Sequence, residues 1–163
     1  MAKLQFAAVI AVCMALAACG SKPEGTAGAS AAGGKILTKA DLPPPYNEAD
    51  IANGQTIFIK CRNCHSVVPS EGNKTGPNLH GVFDRHPATQ ANFKYSKALQ
   101  GDKDEKWTGA ELDKWLAKPK DYMPGTKMFF NGLDDANDRR DVIAYLMIAS
   151  ENADAAKTAA TQQ

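Results

Sequence analysis

Two cysteines and a histidine stand together in the run Cys61-Arg62-Asn63-Cys64-His65 of this 163-residue chain. Two thiols at this spacing can each form a thioether with one vinyl group of a haem, and the histidine that follows is then held beside the iron. The C-x-x-C-H pattern therefore predicts an attachment site for a c-type haem, with Cys61 and Cys64 as the covalent attachment points and His65 as an iron ligand.

The same cysteine spacing has two other interpretations. A C-x-x-C pair can be a redox dithiol, and Cys61, Cys64, His80 and His86 together satisfy a loose zinc-finger spacing. Glycines and prolines between residues 76 and 87 interrupt the stretch where the helix of a finger would run. A zinc site would also leave His65 without a role.

A second iron ligand opposite His65 is needed for a six-coordinate haem. The candidates downstream are Met123, Met128, Met147, His80 and His86. We expect Met147 to pack within a helix, and the two histidines to lie at the surface. Met128 closes a loop that Pro124 and Gly125 constrain, and a thioether ligand suits an electron carrier because it raises the reduction potential.

The first residues are predicted to be a targeting segment rather than part of the fold. Residues 1–18 carry Lys3 and an apolar run, and they end in Leu16-Ala17-Ala18-Cys19-Gly20, which resembles a bacterial lipoprotein signal. We expect Cys19 to be lipidated and to anchor the protein on the periplasmic side of a bacterial membrane. The alternative is an ordinary secretory signal and a soluble periplasmic protein.

The remainder of the chain divides into three predicted regions. Residues 19–46, rich in Gly, Ala and Ser at their start, are predicted to be a flexible tether. Residues 47–151 form one folded domain, and residues 152–163 are predicted to be a disordered tail. The chain has 19 Lys and Arg against 18 Asp and Glu, a balance that argues against a nucleic-acid partner.

Helical periodicity predicts the elements of the domain. One helix starts at Asn47 as its N-cap and runs to about Lys60. Another opens at Thr108, the first residue of a capping box, and closes before Pro119. The last helix spans residues 138–149. Sustained alternation is missing from the sequence, so we predict an all-α fold of about three to five helices with long loops wrapped around one covalently attached haem. Because the haem would supply much of the buried apolar volume, we expect the haem-free protein to be largely unfolded.

From about residue 48 to residue 150 the chain closely resembles the class I cytochromes c of the mitochondrial and alphaproteobacterial type. The motifs that carry the resemblance come in the family's order: Gly54–Phe58, the C-x-x-C-H run, Lys74–Gly81, Phe93–Tyr95, Trp107, Pro119, Pro124–Met128 and Arg139–Leu146. The resemblance implies a small cytochrome c fold, one covalent haem c and a monomer.

The resemblance also implies roles for particular residues. Met128 would be the axial ligand opposite His65, and the carbonyl oxygen of Pro77 would accept a hydrogen bond from Nδ1 of that histidine. Gly54 would allow the first and last helices to cross closely. The residues implied to hydrogen-bond or neutralise the haem propionates are Arg85, Tyr95, Trp107 and Thr126. Two departures from the family pattern are Trp115 and Leu99, where the family usually has a tyrosine and an asparagine.

By the same resemblance, the chain would be a one-electron carrier and no enzyme. It would shuttle electrons between a quinol–cytochrome c reductase and a terminal oxidase or another reductase. The alternatives are a dedicated electron-transfer subunit of one respiratory complex and a haem peroxidase. Between residues 47 and 151 there are 14 Lys and Arg against 15 Asp and Glu, so a basic docking patch would be a dipole rather than a net charge. The residues expected to ring the haem edge are Lys60, Arg62, Lys74, Lys118, Lys120 and Lys127.

Overall fold

The computed structural model describes residues 36–101 and 105–161. The predicted signal segment, Cys19 and the first part of the predicted tether lie outside these ranges. Within them the chain forms five α-helices and no strand: α1 (Ile51–Arg62), α2 (Lys97–Gly101), α3 (Gly109–Ala117), α4 (Pro119–Tyr122) and α5 (Ala136–Thr161). Long loops join the helices, which confirms the predicted all-α fold. No helix in the described ranges has the length and apolar content needed to cross a bilayer.

Helix α1 begins later than predicted. Asp50, and not Asn47, is its N-cap, and the Asp50 carboxylate accepts from the amide N–H groups of Ala52 and Asn53, each at 3.0 Å. Asn47 lies instead in a 3-10 turn, Tyr46–Glu48. Asp and Asn are equally good caps, so residue type does not decide between them. The backbone of Ala49 is extended and separates the turn from the helix, so the helix can begin only after it, with Asp50 as the cap.

Helix α3 has the predicted bounds. The Thr108 hydroxyl accepts from the amide N–H of Glu111 at 3.1 Å, and the helix ends where Lys118, extended before Pro119, cannot continue it. Its buried face holds Leu112, Trp115 and Leu116, as expected.

Helix α5 is much longer than the predicted 138–149. It continues to Thr161, so the residues expected to form a disordered tail from 152 onward are helical as far as 161. The physical reason lies in the composition: after Ala136 the helix contains neither Gly nor Pro, and its last turns are rich in alanine, the strongest helix former.

Helices α1 and α5 cross at Gly54. A Cβ on Gly54 would lie 2.1 Å from the carbonyl oxygen of Asp141, so only a residue without a side chain permits this approach. Beside the crossing, the rings of Phe58 and Tyr145 pack with their centroids 5.3 Å apart. The close crossing implied by the resemblance is therefore present.

A buried carboxylate fastens the same crossing. Asp141 is 3% exposed, and its oxygens accept from the amide N–H of Asp50 at 3.0 Å, from the Asn53 side chain at 2.9 Å and from Arg140 at 2.8 Å. Burial disfavours the charged form of Asp141, but the hydrogen bonds from Asn53, Arg140 and Asp50 outweigh it and hold the pKa of this carboxyl below its usual value.

Part of the predicted tether packs on the domain. We call residues 36–49 the strap. The backbone N–H of Leu37 donates to Oδ1 of Asn152 at 2.7 Å, and the Asn152 amide donates back to the Leu37 carbonyl at 2.8 Å. Leu42 is buried with Ala49 and Ala144. The expected boundary at residue 46 is therefore wrong: an apolar side chain and two hydrogen bonds bring the folded part forward to about residue 36.

Candidate functional site

The end of α1 gathers the predicted attachment residues. Cys61 lies in the last turn of α1, and the amide N–H groups of Cys64 and His65 both donate to its carbonyl oxygen, at 3.0 and 2.9 Å. This tight turn places all three side chains in the wall of one cavity of about 470 Å³. Burial raises the pKa of the Cys61 thiol to about 11. The thiolate is the reactive form of a cysteine, so a Cys61 that stays protonated at neutral pH makes the C-x-x-C pair poorly suited to act as a redox dithiol.

The imidazole of His65 is fixed from behind. Its Nδ1 lies 2.7 Å from the carbonyl oxygen of Pro77, and a Cβ on Gly76 would lie 2.4 Å from its Cε1. Burial lowers the pKa of His65, and the hydrogen bond to Pro77 only partly opposes this. The ring is therefore held neutral, with Nδ1 donating to Pro77, which leaves Nε2 as a lone-pair donor.

The loop that carries Met128 lines the same cavity as His65. Its backbone turns at Gly125, where φ is +90°, and the Met128 amide N–H donates to the Thr126 hydroxyl at 3.2 Å. Of the three methionine candidates, Met128 alone is in the described cavity wall; Met123 is a buried core residue and Met147 packs against the core. The structure therefore brings Met128 into the same cavity wall as His65, and its role as an iron ligand stays a prediction.

Of the two histidine candidates, His86 is in the cavity wall and His80 is not. Nδ1 of His80 lies 2.6 Å from the carbonyl oxygen of Ser150, and His80 is half-buried rather than at the surface as expected. His86 is exposed at the cavity rim, with Nδ1 2.9 Å from the carbonyl oxygen of Glu105. Among residues 36–101 and 105–161, no three His, Cys, Asp or Glu side chains form a group able to hold a metal ion. The zinc-finger interpretation is therefore wrong.

The four predicted propionate contacts lie together in the cavity wall: Arg85, Tyr95, Trp107 and Thr126. The Arg85 guanidinium donates to the carbonyl oxygens of His80 and Asn78, at 3.0 and 3.2 Å, and to the Gln90 side chain at 2.5 Å. These three acceptors are uncharged, so they position the cation without neutralising it. Burial lowers the pKa of Arg85, and an anion in the cavity would offset that cost.

Sequence reasoning missed two contributors to the site. The side-chain oxygen of Gln90 accepts from Arg85, and the backbone N–H of Gln90 donates to the Tyr95 hydroxyl at 3.3 Å. No spacing signal in the sequence marks Gln90. Phe129 follows Met128 directly, lines the cavity mouth and is 93% exposed. An exposed phenylalanine cannot be recognised from composition, although its place next to the ligand loop was visible.

The residues present fit a covalently bound haem. One largely apolar cavity is lined by two thiols, a neutral imidazole, a thioether and a guanidinium that hydrogen bonds hold in place. A six-coordinate haem c would use the thiols for attachment, the imidazole and the thioether as iron ligands, and the guanidinium to neutralise its propionates. The fold and the site define a class I c-type cytochrome.

Comparison with known proteins agrees with this assignment. A family model for cytochrome c matches residues 51–150. The chain is 42% identical over 102 residues to cytochrome c of Stellaria longipes, covering 62% of this chain and 94% of that protein. It is 45% identical over 102 residues to cytochrome c of Chlamydomonas reinhardtii, covering 62% and 90%. The solved structure of cytochrome cH from Methylobacterium extorquens has a TM-score of 0.56 and 38% identity, covering 61% of this chain and 98% of that one. The chain belongs to the cytochrome c family, binds covalently attached haem c and is an electron carrier.

Proposed function

We propose that this cytochrome is a membrane-tethered, periplasmic, monomeric carrier that takes single electrons from a quinol–cytochrome c reductase and delivers them to a terminal oxidase or another reductase. The observation that carries the proposal is the placement of an imidazole and a thioether, His65 and Met128, in the wall of one cavity. If both side chains ligate the haem iron, no position on it is left for a substrate, and the protein would act as a carrier and not as an enzyme.

The chain's own residues supply the surroundings of the haem, which when bound contributes a one-electron ferrous–ferric couple. Cys61 and Cys64 would hold it covalently, and His65 and Met128 would supply a nitrogen and a sulfur ligand to its iron. The Pro77 carbonyl keeps the His65 ring in one orientation and one tautomer, which strengthens its donation. Because these groups are already positioned, little has to reorganise when the electron arrives or leaves.

The polar wall of the cavity balances charge at the haem edge. Arg85 holds a positive charge on three neutral acceptors, and Tyr95, Trp107 and Thr126 offer further donors. We assign these four residues to the two propionates. Charge-assisted hydrogen bonds of this kind are roughly twice as strong as neutral ones, so they fix the haem edge as well as neutralise it.

The mouth of the cavity is the docking surface. Lys60, Lys94 and Lys127 line it and are exposed, and Phe129 projects between the cavity and solvent with the ammonium of Lys120 5.1 Å from its ring centre. An apolar anchor within a basic rim fits a partner whose acidic residues surround an apolar spot. The remaining predicted rim residues, Arg62, Lys74 and Lys118, are also exposed, and Lys74 pairs with Glu71 at 3.5 Å.

The proposed location depends on Cys19. The motif Leu16–Gly20 supports lipidation there and a position on the periplasmic side of the membrane. Intact-mass measurement of the mature protein tests this: the mass of a chain that begins at a lipidated Cys19 is expected. An unmodified N-terminus beyond Cys19 would instead leave a soluble periplasmic carrier.

The function is tested by stopped-flow oxidation of the reduced protein by washed host membranes, with and without cyanide. Fast, cyanide-sensitive oxidation is expected for a carrier that feeds a terminal oxidase. Negligible oxidation, together with a stable complex after detergent extraction, would favour a dedicated subunit of one complex. High-spin features in the ferric spectrum would instead favour a peroxidase.

The docking surface is tested by two substitutions in the same assay. Lys127→Ala should flatten the dependence of the second-order rate on ionic strength, because it removes a rim charge. Phe129→Ala should slow transfer about tenfold without changing that salt dependence, as expected for an apolar hot spot. Ile59→Ala is the matched control, because Ile59 is an exposed apolar residue outside the cavity wall. Equal effects of Phe129→Ala and Ile59→Ala would refute the anchor.

A further inference from the structure

The dipeptide Asn-Gly occurs twice in the chain, at Asn53–Gly54 and at Asn131–Gly132. Asparagine is one of the thermolabile residues, because the backbone nitrogen of the next residue can attack its side-chain amide carbon. A following glycine favours this attack, since it has no Cβ to obstruct the approach and its backbone turns freely. The fate of each dipeptide therefore depends on where the fold places it.

The structure protects the first dipeptide. Asn53 and Gly54 lie within α1, where the backbone N–H of Gly54 donates to the carbonyl oxygen of Asp50 at 2.9 Å. The Asn53 amide also donates to the side chains of Asp138 and Asp141, at 3.1 and 2.9 Å. Both reacting groups are fixed, so ring closure here would break these three hydrogen bonds and a turn of the helix.

The second dipeptide lacks this protection. Asn131 and Gly132 lie in the irregular loop between α4 and α5, and Asn131 is exposed. In the part of the chain that the structure describes, neither the Asn131 side chain nor the backbone N–H of Gly132 has a hydrogen-bond partner. Gly132 is held in place, because its φ is +99° and a Cβ on it would collide with the Ala117 carbonyl oxygen. A fixed backbone nitrogen therefore follows an unrestrained side-chain amide.

We propose that Asn131 is a site of spontaneous deamidation, and that the carboxylate formed there weakens the docking surface as the protein ages. The site itself depends on no cofactor and no partner. Only its effect on docking rests on the proposed function.

The reaction needs no reagent other than water. The Gly132 nitrogen bonds to Cγ of Asn131, and the side-chain nitrogen leaves as ammonia with the proton that Gly132 gives up. One water molecule then opens the resulting succinimide ring at either of its two carbonyl carbons. Opening at Cγ gives aspartate, and opening at the backbone carbon gives isoaspartate, so both products carry a new carboxylate and release one proton.

The new carboxylate would lie beside the docking surface. Asn131 is two residues after Phe129, and two residues span at most about 7 Å. Two cations of this surface are Lys127 and Lys120, and the Lys120 ammonium lies 5.1 Å from the centre of the Phe129 ring. A negative charge at position 131 would oppose them, so the attraction to an acidic partner should fall.

The site is tested on the folded full-length holoprotein at mildly alkaline pH, where the Gly132 nitrogen gives up its proton more readily. Peptide mass spectrometry follows the change from amide to acid, and isoaspartyl methyltransferase marks the isoaspartate. We expect both signals at position 131 and neither at Asn53, which has the same following residue. Asn131→Gln should abolish the signal at position 131, because glutamine would have to close a larger ring.

A sample unfolded in guanidinium chloride calibrates the chemistry, because both dipeptides should react there at similar rates. Equal rates at Asn53 and Asn131 in the folded protein would overturn the proposal, since the fold would then not distinguish them. An Asn131 that stays intact in the folded protein, over a period in which the unfolded protein reacts fully, would overturn it as well.

The effect on docking is tested with Asn131→Asp in the oxidation of the reduced protein by membranes. We expect it to slow this reaction several-fold at an ionic strength of about 0.01 M, where the Debye length is about 30 Å, and to have little effect at about 1 M, where it is about 3 Å. Asn131→Gln is the neutral control and should match the unmodified protein, since Asn131 lies outside the cavity wall.

Failure of this effect is separable from failure of the proposed docking surface. If Asn131→Asp changes nothing while Lys127→Ala flattens the salt dependence, the link between deamidation and docking is rejected alone. If neither variant changes the salt dependence, the docking surface is rejected, and with it the effect proposed for the carboxylate at position 131.

Discussion

Two regions of the molecule differ in where their packing contacts come from: the crossing of α1 and α5, and the wall of the haem cavity. At the crossing, the Asp141 carboxylate receives donors from Asp50, Asn53 and Arg140, and Gly54 lets the helices touch. In the cavity wall, His65 and Arg85 are firmly mounted but face a space of about 470 Å³. At the crossing, all the packing and hydrogen-bond partners come from the polypeptide, whereas the cavity needs the haem to fill it.

Removing the cofactor should therefore have the largest effect. At about 24 cal/mol per Å³ of cavity, an empty space of this volume would cost at most about 11 kcal/mol, which is comparable with the entire stability of a domain, about 5–15 kcal/mol. We expect a Cys61→Ala/Cys64→Ala variant to be largely unfolded, with most of the far-ultraviolet circular dichroism of its helices lost. Cys64→Ala alone, which keeps one thioether, is the control. A full helical signal from the double variant would contradict the prediction.

Obstructing the helix crossing with a side chain at position 54 should have the next largest effect. In Gly54→Ala the new Cβ meets backbone atoms of Asp141 that cannot move independently of α5, so we expect a loss of about 3 kcal/mol in the free energy of unfolding. Chemical denaturation of the holoprotein measures it. Gly101→Ala is the matched control, since a Cβ there meets nothing within 4 Å, and it should change stability by less than about 0.5 kcal/mol. Similar losses in both variants would show that the contact with Asp141 is not responsible, because Ala is the better helix former and helix propensity alone would raise stability.

The Asp141 carboxylate contributes less, and its contribution depends on pH. Because its pKa is lower in the folded than in the unfolded protein, its stabilisation is fully present above the unfolded value, about 3.9, and is lost as pH falls through the folded value. We expect Asp141→Asn to cost about 2 kcal/mol at neutral pH and progressively less in acid. Urea unfolding across the acidic range measures both curves.

Asp134→Asn serves as the control for this pH series, because Asp134 is exposed. A constant difference between Asp141→Asn and the unmodified protein at every pH would mean that packing, and not charge, is what Asp141 contributes.

The same contrast explains what the sequence could predict. Local signals were sufficient for the attachment turn at Cys61, for the Thr108 cap and for the end of α3 at Pro119, because each depends on residues within a few positions. The family's motif order placed Met128 and the propionate contacts in one cavity. The strap was missed because Leu37 and Asn152 are 115 positions apart, and His80 was misplaced because its contact with Ser150 spans 70 positions. No period or spacing encodes pairs that distant.

The strap provides the smallest and most local of the expected effects. Asn152→Ala removes both hydrogen bonds to the backbone of Leu37 while leaving Leu42 buried, so we expect a loss of about 1 kcal/mol. Hydrogen exchange should quicken in residues 36–42 but not in α1, because the strap can open without the helix crossing. Asn137→Ala, an exposed site on the same helix, should leave this exchange unchanged. If exchange quickened equally in α1 after Asn152→Ala, the strap would not open separately and would belong to the same cooperative unit as the crossing.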